Sequence, residues 1–155
     1  NACNQCHLDR SVNWAVIESK RLWPARFATA EASQDPQFDL PEGPRALFAG
    51  DALARAVSAE ALSGDGPYRP DPAWAAPWLA EGLRDDYPIV RFFAAAGVAA
   101  AWKGSRTPDY LNAGDCRGLA DRLGEMFDSS VQQRVARLAA TLRTQRNNVD
   151  IEVGE

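Results

Sequence analysis

Histidine and methionine each occur once in the 155 residues, and cysteine three times. A single imidazole, His7, means that this chain supplies at most one histidine ligand to any metal. No Ser/His/Asp set, phosphate-binding glycine loop or paired catalytic carboxylate is present. An excess of basic charge is missing too. Seventeen Lys and Arg against 21 Asp and Glu give a net charge of −4, which argues against general affinity for nucleic acid. The same sign mildly favours docking to a basic partner. Long apolar runs are absent: the most apolar stretch, Phe92 to Trp102, is short and rich in alanine, so no membrane span is expected. The remainder, 46% hydrophobic and 25% charged, is ordinary for a globular protein and fits one domain.

What is there is concentrated at the start. Cys3, Cys6 and His7 form C-x-x-C-H in the opening Asn1-Ala2-Cys3-Asn4-Gln5-Cys6-His7. This is the attachment signature of c-type haem. Two thiols one helical turn apart reach the two vinyl groups on one porphyrin edge and form thioethers, and the next imidazole coordinates the iron from the proximal side. Haem c is therefore the expected cofactor, with Cys3 and Cys6 in the thioethers and His7 as iron ligand. With His7 on iron, hydrolytic chemistry has no obvious base. Two other uses of the motif remain open: a zinc site completed by Cys116, and a disulfide between Cys3 and Cys6.

A helix is expected directly after the motif. Ser11 or Asp9 caps it, Trp14, Ile17 and Arg21 share one face, and Pro24 ends it. Trp14 has two readings, packing on the haem or filling the adjoining core. Residues 24–43 carry Pro24, Pro36 and Pro41 and read as an irregular connection, with a short helical turn around Phe27 to Ala32.

From Pro44 onward the chain is alanine-rich and repeats itself. Asp51 to Leu62 aligns with Tyr87 to Val98, a period of 91 − 55 = 36 residues counted between Arg55 and Arg91. Leu53/Ile89, Val57/Phe93, Ala59/Ala95 and Leu62/Val98 share apolar positions, and Leu47 aligns with Leu83 upstream. Periods near this length belong to helical solenoids built of two-helix units. A third copy would have its first helix at Leu119 to Phe127 and its second at Asp128 to Ala139. Loops are expected at Ser63 to Pro72 and Lys103 to Asp115, and Asp85-Asp86 reads as a turn and N-cap. Trp74 and Trp78, four residues apart, read as core or interface, with Pro77 near a helix start. Arg55 and Arg91 have two readings: bridging neighbouring carboxylates, or meeting haem propionates.

The opening stretch through Leu8-Asp9-Arg10-Ser11-Val12-Asn13-Trp14-Ala15 resembles the last haem-binding segment of a family of bacterial multihaem cytochromes. There, Asn and Ala precede C-x-x-C-H, Asp-Arg or Asp-Lys and then Trp-Ala follow, and a HEAT-like helical repeat comes next. The pattern D-x-[LI]-x-R-x-x-[SA]-A at Asp51 to Ala59 matches that repeat; the copy at Tyr87 departs by having Tyr for Asp. The resemblance covers about residues 1–100 and implies electron transfer, bis-histidine haems and further haem motifs upstream. The chain opens at Asn1 without Met or signal peptide, and haem of this kind is attached beyond the cytoplasmic membrane. A cofactor seven residues from a fraying terminus would be poorly held, so a C-terminal portion of a larger cytochrome is the expectation.

The sixth iron ligand is then the open question. Met126 is the only methionine, and His/Met ligation would raise the potential; alternatively it packs in the third repeat. A histidine from another haem-bearing segment or cytochrome subunit is the other source. The expected architecture is all-α: a haem c-binding segment with its helix and connection (1–43), a HEAT-like α-solenoid of two to three helix pairs (44–143) and a tail (144–155). The expected function is electron transfer in the periplasm or at the cell surface, with a redox partner docked on the repeats and homo- or hetero-oligomers allowed. Two alternatives stand beside it: a haem-dependent oxidoreductase with an open distal site, and a haem-free repeat scaffold.

Overall fold

A computed structural model describes residues 3–64, 70–102 and 107–146. The tail segment Val149 to Val153, part of the loops at 63–72 and 103–115, and Asn1-Ala2 lie outside the described residues. Within them the fold is all-α, as expected, and no strand forms. The helices are α1 (Val12–Leu22), α2 (Glu42–Ala49), α3 (Ala52–Ser63), α4 (Pro72–Gly82), α5 (Pro88–Ala101), α6 (Ala113–Gly124) and α7 (Ser129–Arg143). Short 3-10 turns occupy Cys3–Gln5 and Pro36–Asp39.

Most helix starts are set by one side chain. Ser11 Oγ accepts from Trp14 N at 3.0 Å, and Asp51, Asp71, Asn112 and Asp128 cap α3, α4, α6 and α7 in the same way. Two expected boundaries move for this reason. Asn112 starts α6 six residues before Leu119, and Pro72 occupies the first turn of α4, which puts Pro77 inside the helix. An interior proline removes a backbone hydrogen bond; here its ring is buried among the side chains around it. The region around Phe27 forms turns rather than a helical stretch, with Ala30 N on Phe27 O at 3.1 Å.

Packing puts α4 at the centre. Its residues Ala75 to Ala80 are all buried, consistent with a helix that is apolar all round. α3 and α5, the repeat-related helices, lie against each other and against α4; α2 packs on α3. Gly97 permits the close approach, because a Cβ there would come within 2.4 Å of Ser63 Cβ and 2.6 Å of Leu79. α7 does not extend this stack as the second helix of a third copy. It packs on α2 and α4, the first-helix layer. Arg143 holds it there, with Nη1 2.6 Å from Glu81 and its guanidinium 5.3 Å from the Phe48 ring.

The repeat-matched arginines are buried. Arg55 donates to Asp85 through Nε (3.0 Å) and to Gly50 O (2.8 Å), and Arg146 reaches the same carboxylate at 2.7 Å. Residue 146 is thus tied into the array, beyond the expected boundary at 143. Among the described residues Arg91 donates to carbonyls rather than to a carboxylate: those of Asp85, Asp86, Tyr110 and Leu111. Both guanidiniums are committed inside the array rather than offered at its surface.

Candidate functional site

The C-x-x-C-H segment is one tight turn. Cys6 N and His7 N both donate to Cys3 O, at 3.3 and 3.0 Å, which sets the cysteines one helical turn apart. The turn is sorted by side. Asn4 and Leu8 point inward and are buried, whereas Cys6 and His7 are exposed and Cys3 half-buried. Asn4 Nδ2 donates to the carbonyls of Arg10 (2.9 Å) and Ser11 (3.1 Å), closing the loop behind the motif. Its Oδ1 is buried without a hydrogen-bond partner.

Docking onto the helical array uses backbone. Gly43 N donates to Leu8 O at 2.9 Å, Glu42 N to Arg10 O at 3.0 Å, and Ser11 and Pro41 form an isolated antiparallel bridge. Glycine suits position 43, where a Cβ would crowd Leu8 O at 3.1 Å and Leu62 Cδ2 at 2.9 Å. The reactive side chains are therefore carried on the outside of a loop whose inner side is fixed.

Trp14 stands beside the imidazole. Its ring lies 5.0 Å from that of His7, edge to face at 61°, and Arg10 covers it at 5.7 Å. Trp14 is half-buried, so it is neither a core residue nor free of the motif. The expected α1 face of Trp14, Ile17 and Arg21 is not the buried one. Ile17 and Arg21 are exposed, and Asn13 and Ala15 turn inward instead. Asn13 exchanges two hydrogen bonds with Ser33 (3.0 and 2.8 Å) and donates to Asp39 at 2.8 Å, pinning the 24–41 connection to α1. Asn4 and Asn13 went unread in the sequence; the only signal was a polar side chain inside the C-x-x-C-H turn and another within the first helical turn.

The other candidates fall elsewhere. Met126 lies on the turn after α6 and is 64% exposed, so it does not pack in a core. Its neighbour Phe127 stacks on Trp102 at the end of α5, a different neighbourhood from the motif. Cys116 is buried on α6, its thiol 3.6 Å from Asp109 O, and burial pushes its pKa up. Among the described residues no group of three or more His, Cys, Asp or Glu side chains is placed to hold a metal ion, so the zinc set of Cys3, Cys6, His7 and Cys116 is not formed. Trp78 is a core residue against Phe48, and Trp74, partly buried, packs on it at 6.1 Å from the edge of the core. No described helix is long and apolar enough to cross a membrane.

The residues present fit a group attached from outside. Two cysteines one turn apart and the adjoining imidazole leave the same loop, and an aromatic ring flanks the imidazole. No family model, curated protein or solved structure matches this chain.

Proposed function

We propose that this chain holds a covalent haem c through Cys3 and Cys6, with His7 as the proximal iron ligand, and serves electron transfer within a multihaem cytochrome or its complex. The observation that carries the reading is the sorting of the C-x-x-C-H turn: Asn4 and Leu8 anchor it inward while the ligating side chains face out. When bound, the haem iron supplies one-electron chemistry. The protein's part is to hold and orient. Trp14 packs edge to face with the His7 ring and limits its rotation, and Arg10 in turn lies over the Trp14 ring. His7 is the only histidine of the chain, so any second histidine on the haem iron would have to come from another haem-bearing segment or subunit. The helix pairs α2/α3 and α4/α5 form a short HEAT-like array that docks partners, and the working compartment is the periplasm or the cell surface.

A pyridine haemochrome assay on protein produced with c-type maturation factors tests this. The expected result is one thioether-linked haem per chain that survives denaturing electrophoresis and is lost in the Cys3→Ala/Cys6→Ala variant. No covalent haem in the unaltered chain would sink the reading. Ready binding of carbon monoxide to the reduced protein in its assembled complex would replace the carrier by an open-site oxidoreductase.

A further inference from the structure

Not every apolar position of the 36-residue repeat faces the core. Ala59, Ala95, Leu62 and Val98 are buried and Phe93 is partly buried, but Leu53 is 65% exposed, Val57 57% and Ile89 48%; Phe92, beside the repeat position at Phe93, is 42% exposed. Leu53 and Ile89 occupy equivalent positions on adjacent helices, so they face the same way, and Val57 and Phe92 continue each row one turn on. Tyr110 stands edge to face with Phe92 at 5.1 Å, lengthening the apolar strip beyond α5. Exposed apolar side chains in rows on two adjacent helices of a globular protein point to an interaction surface.

Charge narrows the occupant. The only cations on α3 and α5 are Arg55 and Arg91, and both are buried. The exposed charges on these helices and in the turns leading into and out of them, among the described residues, are Asp51, Glu60, Asp86 and Asp109. The exposed charges described on these two helices are acidic and the whole chain carries a net charge of −4, so a strip of aliphatic and aromatic side chains there complements a helix with apolar residues at i, i+3, i+4 and i+7 flanked by Lys and Arg. A second copy of this chain would bring the same carboxylates face to face, and like charges across an interface oppose docking. The strip also runs into a cavity of about 470 Å³ between the Cys3–Gln5 turn and α3, whose wall includes Val57, Ala54 and Ala46. We infer that the outer face of α3 and α5 is a docking surface for a basic amphipathic helix of a partner protein. An apolar anchor of that helix enters the cavity beside the C-x-x-C-H turn. This surface does not depend on whether the turn carries haem.

Fluorescence anisotropy with the 155-residue chain tests it. The probes are a labelled leucine–lysine amphipathic helical peptide, its leucine–glutamate counterpart and a lysine peptide of scrambled order. The lysine helix is expected to bind about tenfold or more tighter than either control, and more weakly as salt rises. Leu53→Ser with Ile89→Ser, both facing water, is expected to weaken it about tenfold while circular dichroism and the urea midpoint stay unchanged. Equal binding of the three peptides, or binding indifferent to Leu53 and Ile89, overturns the inference. Self-association in sedimentation that the same variant abolishes assigns the face to a second copy and overturns it too.

Discussion

Residues 3–41 and the described residues of 42–146 are ordered by different means. The second region has a continuous apolar core that includes Leu47, Phe48, Leu62, Leu79, Leu83, Val90 and Val98. The first buries Asn4, Leu8, Asn13 and Ala15, two of them amides, and leaves Ile17, Leu22, Trp23 and Phe38 exposed. Its order comes from side chains hydrogen-bonded to backbone: Asn4 behind the motif, Asn13 across to Ser33 and Asp39. Such bonds fix a path but bury little surface, and burial is the dominant favourable contribution to folding. A segment built this way holds a loop in one shape while leaving its apolar side chains for something else to cover. On the reading proposed above, the attached haem supplies that missing apolar mass.

The sharpest way to break the contrast lies in the array. Asp85 is buried and serves Arg55, Arg146 and the N–H of Tyr87 at once. Asp85→Ala leaves two guanidiniums without their shared carboxylate, Arg55 wholly and Arg146 almost wholly buried. Removing one partner of a buried pair costs about 3–5 kcal/mol, because the stranded charge stays desolvated. Urea unfolding followed at 222 nm is expected to show a large fall in midpoint. Asp85→Asn, which keeps an acceptor of the same shape, should recover part of it. A midpoint unmoved by Asp85→Ala would mean that the arginines find water, and that the core does not rest on this carboxylate.

The same experiment in the first region should look different. Asn13→Ala removes three hydrogen bonds, each worth about 1 kcal/mol net. Because few core contacts join α1 to the array, the loss is expected to appear as local opening rather than global unfolding. Limited proteolysis should become faster between Trp23 and Leu40, with the urea midpoint of the array nearly unchanged. If haem attaches as proposed, the loaded protein should resist that proteolysis better than the unloaded one, with or without Asn13. A global shift as large as that of Asp85→Ala would show the two regions to be one cooperative unit.

How far the sequence could be read follows the same division. The helices of the array were legible because capping side chains, prolines and a 36-residue period all leave local marks: Asp51, Pro88 and Asp128 stand at or beside helix starts. What periodicity does not carry is the partner of each face. Leu53 and Ile89 repeat as faithfully as Leu62 and Val98, yet one pair faces water and the other the core. The return of α7 onto α2 and α4 was equally hidden, since it depends on Arg143 and Arg146 reaching residues about sixty or more positions away. In the candidate site, Cys3, Cys6 and His7 stood out by spacing. Asn4 did not, because its role is defined by the carbonyls of Arg10 and Ser11, which only the folded loop brings within reach.

The thiols offer the smallest and most local test of the contrast. Cys6 is exposed on its loop, whereas Cys116 is buried between α6 and the turn at Asp109. Burial disfavours the thiolate and raises the Cys116 pKa above its ordinary 9.0, although Arg91 works in the opposite direction. The sign for stability follows. A group whose pKa is higher folded than unfolded gives its full contribution below the unfolded pKa and loses it as pH climbs toward the folded one. The urea midpoint is therefore expected to slip modestly between about pH 8 and about pH 10, and less so in Cys116→Ala, which has no thiol to ionise. Iodoacetamide under native conditions should modify Cys6 in the unloaded chain and spare Cys116 until the array unfolds. Equal labelling of the two would mean that the turn before α6 opens as readily as the motif loop, and the contrast between the two regions would fail at that point.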